Sequence, residues 1–124
     1  MTTTEIAKRL VELCRENKYE QAQRELYATD AVSIEPEGSP GMTIVEGLDN
    51  IIKKGNDFEA MIEEFHSQEL SDPVVAGNYF SISLFMDATF KGMGRMPMVE
   101  IVVYKVKNSK IVSEQFFYEP EPQM

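Results

Sequence analysis

The sequence predicts an α+β fold in which helices come first and long antiparallel strands follow. Apolar residues recur at the helical period in the first part of the chain, as far as about residue 65. From there onward the apolar pattern changes to a period of two, which is typical of strands. The segments KGMG and KNSK separate the later apolar runs and have the composition of hairpin turns. Helices grouped in this way are expected to lie on one face of a curved sheet.

The length and composition predict a single domain. With 124 residues, 43% of them hydrophobic, the chain is expected to fold as one unit over residues 1–124, and its Pro- and Glu-rich end, residues 119–124, is expected to fray. The formal net charge of −9 disfavours binding to nucleic acid or to anionic membranes. No apolar run approaches the roughly 20 residues of a membrane helix. The first residues lack a signal peptide's hydrophobic stretch, so a cytoplasmic location is expected.

The chain has one cysteine, Cys14, and one histidine, His66. A single cysteine cannot form a disulfide within the chain, and one cysteine with one histidine cannot supply the ligands of a Cys/His zinc site. A metal bound by carboxylates alone stays open, but no feature of the sequence supports one, and we expect neither a metal nor a cofactor.

Two helices are predicted before the first strand. Thr2 and Glu5 have the spacing of a capping box, and an apolar stripe then runs to about Glu16. A second, short helix is expected from Tyr19 to about Ala28.

A third helix is predicted from an apolar face that runs from Leu48 to Phe65. Gly55 lies on this face, where we expect it to permit a close backbone approach. The residues of the face are Leu48, Ile51, Ile52, Gly55, Phe58, Ile62 and Phe65.

The strands are predicted from apolar alternation and turn residues. A short strand over 31–35 ends at Pro36, and a brief one is expected over 42–45. A long strand is expected from His66 to Phe90, continuing past Asp72 and Pro73. Two more are expected over 96–107 and 111–119.

Four segments resemble the nuclear transport factor 2-like (NTF2-like) superfamily, and within it the SnoaL-like proteins and, more distantly, ketosteroid isomerase. They are LYATDAVSIEP, EGLDNIIKK, VVAGNYFSISLFMDATFKG and NSKIVSEQFFY, and the resemblance covers nearly the whole chain. It implies a cone-shaped fold, with three N-terminal helices packed on a strongly bent, mostly antiparallel sheet that encloses a pocket. The superfamily includes isomerases, cyclases, hydrolases, dehydratases and binding domains, so it implies a fold more than an activity.

The resemblance makes Glu35 the candidate base, because the isomerase pattern ends with a catalytic carboxylate before a proline, as Glu35 and Pro36 do here. The tyrosine and the protonated aspartate that form the isomerase's oxyanion hole have no counterpart. The corresponding positions fall near Glu12, Leu13 and Val102. The same ketosteroid reaction is therefore not expected.

Strand alternation and the resemblance together place further acids in the expected pocket. They place Glu100 and Glu114 inward with Glu35, although a register slip of one residue would reverse this assignment and leave them at a solvated rim. Desolvation and like-charge repulsion are expected to raise the pKa of at least one of these carboxyl groups. His66 is a fourth candidate if it faces inward, the alternative being a surface histidine at a strand edge. Apolar residues of this kind are most often simply core, but if the cone is open at its wide end they form a ligand-binding wall. The wall then comprises Phe80, Met86, Met98, Val102, Tyr104, Phe116 and Tyr118.

The opposite face of the same strands is apolar as well. Val99, Ile101 and Val103, with Phe117 on the last strand, form a surface that is unfavourable in water. We expect this surface to be the interface of a homodimer.

Two classes of function fit these features. One is a cofactor-free isomerase, cyclase or lyase that uses carboxylate acid/base chemistry on a hydrophobic carbonyl compound. The other is a non-catalytic ligand-binding or dimerisation module of the same fold.

Overall fold

The computed structural model describes residues 1–39 and 41–119 and confirms the α+β class. Within these residues, three helices and seven strands follow one another. They are α1 (Thr3–Arg15), α2 (Tyr19–Leu26), β1 (Tyr27–Ile34), β2 (Ile44–Glu46), α3 (Leu48–Ala60), β3 (Ile62–Leu70), β4 (Val74–Ala76), β5 (Tyr79–Phe90), β6 (Gly94–Lys107) and β7 (Lys110–Phe117). Of the end that is predicted to fray, only Glu119 lies within the described residues.

The seven strands form one mixed sheet with the order β2-β1-β7-β6-β5-β3, and β4 pairs with β5. Only one of these pairings, β1 with β7, is parallel. It places the first strand of the chain beside the last, so residues from both ends of the sequence meet on neighbouring strands.

The first two helices form as predicted. Thr2 caps α1, since its Oγ1 accepts from the Glu5 backbone N–H at 3.1 Å while Glu5 Oε1 accepts from the Thr2 backbone N–H at 2.8 Å. Helix α2 ends at Leu26 and leads directly into β1, which begins four residues before the predicted strand. No helix in residues 1–39 and 41–119 is long and apolar enough to cross a membrane.

The predicted end of the third helix is wrong. Helix α3 ends at Ala60, and Ile62 and Phe65 belong to β3, where they lie opposite Phe90 and Ala88 of β5. These two residues fit both the helical period and a strand, and long-range pairing with β5 decides between the two.

The single long strand predicted from His66 to Phe90 is also wrong. The chain instead forms β3, β4 and β5, and it reverses so that β3 and β5 are antiparallel neighbours. Pro73 has no N–H for a strand ladder, and Gly77 has φ +59° in the two-residue turn between β4 and β5.

The helices pack on one face of the sheet, which we call the inner face. They cover it unevenly. On β6, Val102, Tyr104 and Val106 are buried, whereas Met98 and Glu100 remain partly accessible. We call this accessible region the open end. It comprises Leu84 on β5, Met96, Met98 and Glu100 on β6, Phe116 on β7 and Tyr118 just after β7.

Gly55 is not required by a close approach of two backbones, contrary to the expectation. A Cβ atom at this position would lie 3.9 Å from the side-chain amide of Gln23, an ordinary van der Waals distance.

We therefore predict that Gly55→Ala stabilises the protein by about 0.5–1 kcal/mol, because alanine loses less conformational entropy than glycine within a helix. Chemical denaturation measures the change in the free energy of unfolding. Gly47→Ala is the matched control and should destabilise the protein, since Gly47 has φ +92°. A loss of stability in Gly55→Ala would contradict the open packing around α3.

Candidate functional site

The inner face brings Glu35, Glu100 and Glu114 into one charged group. Ser33 on β1 lies beside Glu114 on β7, and Glu114 lies opposite Tyr104 on β6. Glu35 follows Ser33 by two residues, and Glu100 precedes Tyr104 by four, so alternation keeps both on the inner face.

Glu114 is a fully satisfied buried acid that is 4% exposed. The Tyr27 hydroxyl donates to Glu114 Oε1, and the Ser33 hydroxyl donates to Oε2 at 2.7 Å. Burial raises the pKa of Glu114, and the two hydrogen bonds partly oppose that rise. Because both oxygens accept from protein hydroxyls, Glu114 is suited to a structural role.

Lys54 on α3 is a central member of the group that sequence reasoning missed. Its Nζ donates to Ser33 Oγ at 2.9 Å and to Glu35 Oε2 at 3.0 Å, and it lies 4.8 Å from the centre of the Phe116 ring. The signal was present in the sequence. Lys54 follows Ile51 by three residues and precedes Phe58 by four, so it is a lone cation on the apolar face of the helix.

Glu35 has two strong partners, contrary to the expectation of an acid surrounded by apolar rings and other acids. Besides its ion pair with Lys54, it accepts a hydrogen bond from the Tyr118 hydroxyl at 2.6 Å. The side chains of Glu35 and Lys54 are only 15% and 29% exposed. A partly buried, hydrogen-bonded ion pair of this kind holds its members in place.

Glu100 differs from the other two carboxyl groups. No hydrogen-bond partner for its side chain is found among residues 1–39 and 41–119. Desolvation, with smaller contributions from the charges of Glu35 and Glu114, raises the pKa of Glu100 to about 7, although Lys54 opposes the rise. Near neutral pH both protonation states are therefore populated, which is the property that acid/base chemistry requires.

His66 does not join the group. It lies at an irregularity between Phe65 and Ser67, where the register of β3 on β5 shifts. Its Nε2 is 2.7 Å from Thr89 Oγ1, and its Nδ1 is 3.3 Å from Glu64 Oε2. Glu64 and Thr89 are paired on the face opposite the helices, so the alternative of a strand-edge histidine describes His66 better than the inward one.

The residues of the expected ligand-binding wall separate into two sets. Phe80, Val102 and Tyr104 are buried, and the rings of Phe80 and Tyr104 stack with centroids 4.6 Å apart. They belong to the core, and Met86 is buried as well, in a smaller cluster that Met98 packs against. Met98, Phe116 and Tyr118 are the members that lie at the open end.

Two surface clefts, of about 440 and 260 Å³, are lined by residues from α1 with Asp72 and Pro73 and by Thr29 with the start of α3. Neither cleft contains a candidate site residue. Within the part of the chain that the structure describes, no three His, Cys, Asp or Glu side chains are placed to hold a metal ion.

Comparison with known proteins confirms the resemblance. The SnoaL-like domain family matches residues 1–118. A solved structure from Mesorhizobium loti, described as a candidate SnoaL-like polyketide cyclase and also as a carbohydrate phosphatase, is 33% identical, with a TM-score of 0.89, over 95% of this chain and 100% of its own.

Two more distant structures show the fold alone. An NTF2-like protein from Burkholderia thailandensis is 20% identical, with a TM-score of 0.76, over 96% of this chain and 92% of its own. A protein with a ketosteroid isomerase-like fold from Catenulispora acidiphila, in complex with trimethylamine, is 19% identical, with a TM-score of 0.72, over 93% of this chain and 85% of its own. No curated protein matches the chain.

The raised pKa of Glu100 predicts a pH-dependent gain in stability for Glu100→Gln. The pKa is 4.5 ordinarily and about 7 in the folded chain, so the folded state loses stability as the pH rises through this range. The variant should match wild type near pH 4 and exceed it above pH 7 by on the order of 3 kcal/mol in chemical denaturation. The exposed Glu59→Gln is the control, and a difference that stays constant with pH would count against the prediction.

Proposed function

This chain belongs to the SnoaL-like family, and from that premise we propose that it binds a small, largely apolar carbonyl compound at the open end of the inner face. Glu100 acts there as the acid/base that moves a proton to or from the ligand. The proposal requires that a ligand can reach the open end, and the partial accessibility of Met98, Glu100 and Phe116 supports such access.

The observation that carries the proposal is the difference in partners among the three carboxyl groups. Glu114 and Glu35 each accept two hydrogen bonds from protein groups, and Glu100 accepts none from the described residues. A partly buried carboxyl group without a protein partner is costly unless a ligand or water engages it. Glu100 is therefore the acid available to a ligand.

Lys54 supplies the positive charge that such a reaction needs. Its ammonium has three N–H groups, of which Ser33 and Glu35 take two. The Glu100 carboxylate removes a proton from the carbon beside the carbonyl group. The electron pair of that C–H bond forms a C=C bond, and the π pair of the carbonyl group moves to its oxygen. The ammonium stabilises the resulting enolate, and Glu100 returns the proton to the same or another atom.

A non-catalytic binding module is the second candidate function. It is favoured by the saturation of Glu35 and Glu114, which leaves Glu100 as the single acid/base of the group. Binding would then depend on the apolar wall and on one hydrogen bond to Glu100.

The exchange of α-protons in 2-tetralone distinguishes the two functions without knowledge of the natural product. In D₂O, wild-type protein should accelerate deuterium incorporation beside the carbonyl, measured by ¹H NMR. Glu100→Gln should reduce that acceleration about 100-fold or more, while Glu59→Gln should retain it. Binding of 2-tetralone without accelerated exchange would support the binding module, and failure to bind would contradict both.

We also propose a homodimer through the face opposite the helices, together with the cytoplasmic location predicted from the sequence. Val99, Ile101 and Phe117 are 69%, 51% and 48% exposed, and Ile101 lies directly opposite Phe117 on the neighbouring strand. An exposed apolar surface of this kind is typical of an interface between subunits.

Sedimentation tests the dimer directly. Wild type should sediment as a dimer at micromolar concentration, and Ile101→Glu should sediment as a monomer, because a charge in an apolar interface is not compensated. The control is Met42→Glu, at a loop position that is 73% exposed. A monomeric wild-type protein would refute the dimer.

A further inference from the structure

We propose that Tyr19 and Gln68 form a second polar subsite, which binds a second oxygen atom at the far end of the ligand from Lys54. This inference rests on the proposed function. It narrows the ligand class to elongated apolar compounds that carry a carbonyl group at one end and a hydroxyl or carbonyl group at the other.

The sheet register places Gln68 beside the open end. Gln68 lies opposite Met86, and Met86 lies opposite Met98, the residue that precedes Glu100 by two on the same face. Gln68 is therefore two strands away from the strand of Glu100, a distance of about 10 Å between backbones. Met98 and Leu84 form the partly accessible apolar surface between them, and Met86 is buried beside it.

Tyr19 reaches the same region from the start of α2. Its hydroxyl donates to Gln68 Oε1, and Gln68 Nε2 donates to the Cys14 carbonyl oxygen at 2.7 Å. Burial, followed by the charges of Cys14 and Glu100, raises the pKa of Tyr19, so its hydroxyl stays protonated and can donate.

The pair retains unused hydrogen-bonding capacity. The Gln68 amide has a second N–H, and the Tyr19 oxygen can accept as well as donate. Both side chains are only partly buried. One donor and one acceptor in the same place suit a hydroxyl or carbonyl group of a ligand.

Glu100 then lies between two polar ends. Lys54, Glu35 and Tyr118 are grouped on the side of β1 and β7, and Tyr19 and Gln68 are on the side of β3. A ligand with one oxygen at Lys54 would extend across the apolar surface toward Gln68, so its length and its second oxygen would determine specificity.

The test compares 2-tetralone with 6-hydroxy-2-tetralone, which adds one oxygen at the opposite end. Calorimetry on wild type should show that the hydroxyl group tightens binding about three- to tenfold, the effect of one hydrogen bond. Tyr19→Phe and Gln68→Leu should each reduce that ratio toward one without changing the affinity for 2-tetralone. The thermal midpoint of each variant checks its folding. If Gln68→Leu is unstable, Tyr19→Phe alone provides the test.

Each result has one consequence. A ratio near one in wild type, or a ratio that both variants leave unchanged, overturns the subsite. If 2-tetralone binding is retained and depends on Glu100 while the hydroxyl group adds nothing, only the subsite is lost. If wild type binds neither compound, the proposed function and the subsite are both contradicted.

Discussion

The burial of one carboxylate organises this molecule. Glu114 is enclosed by the sheet and the helices, and such a group is tolerated only when its oxygens are hydrogen-bonded. Its two donors, Tyr27 and Ser33, both come from β1, so the requirement holds the parallel pair of β1 and β7 in register. Ser33 in turn accepts from Lys54, which links the helix α3 to the same pair of strands.

The surroundings of the other two acids, Glu35 and Glu100, depend on this arrangement. Lys54 is held near Glu114 through Ser33 and pairs with Glu35, so two carboxyl groups are satisfied by one cation and three hydroxyl groups. Glu100 takes part in none of these bonds among the described residues. Its burial, and then the nearby charges of Glu35 and Glu114, oppose its ionisation. Two acids thus hold the framework, and the third is the one that we propose interacts with a ligand.

Features that depend on local pattern can be predicted from the sequence alone. The capping box at Thr2, the helical stripes and the alternation that places Glu100 and Glu114 on one face can all be recognised from spacing alone. The partner of β3 and the shift in register beside His66 depend instead on pairing between segments about 20 residues apart, which a local pattern does not specify. Lys54 is harder to recognise, because a single charge on an apolar helix face resembles a boundary of that face. Only its spacing from Ile51 indicates that it lies within the face.

The titration of Glu100 decides whether this residue is a carboxylic acid that changes its protonation state near neutral pH. The protein would be labelled with ¹³C in the glutamate side chains, and the Glu100 carboxyl signal would be assigned by its loss in Glu100→Gln. We expect a midpoint of about 7 for that signal. A midpoint near the ordinary value of 4.5 would show that Glu100 is a solvated surface acid and would rule out its proposed role.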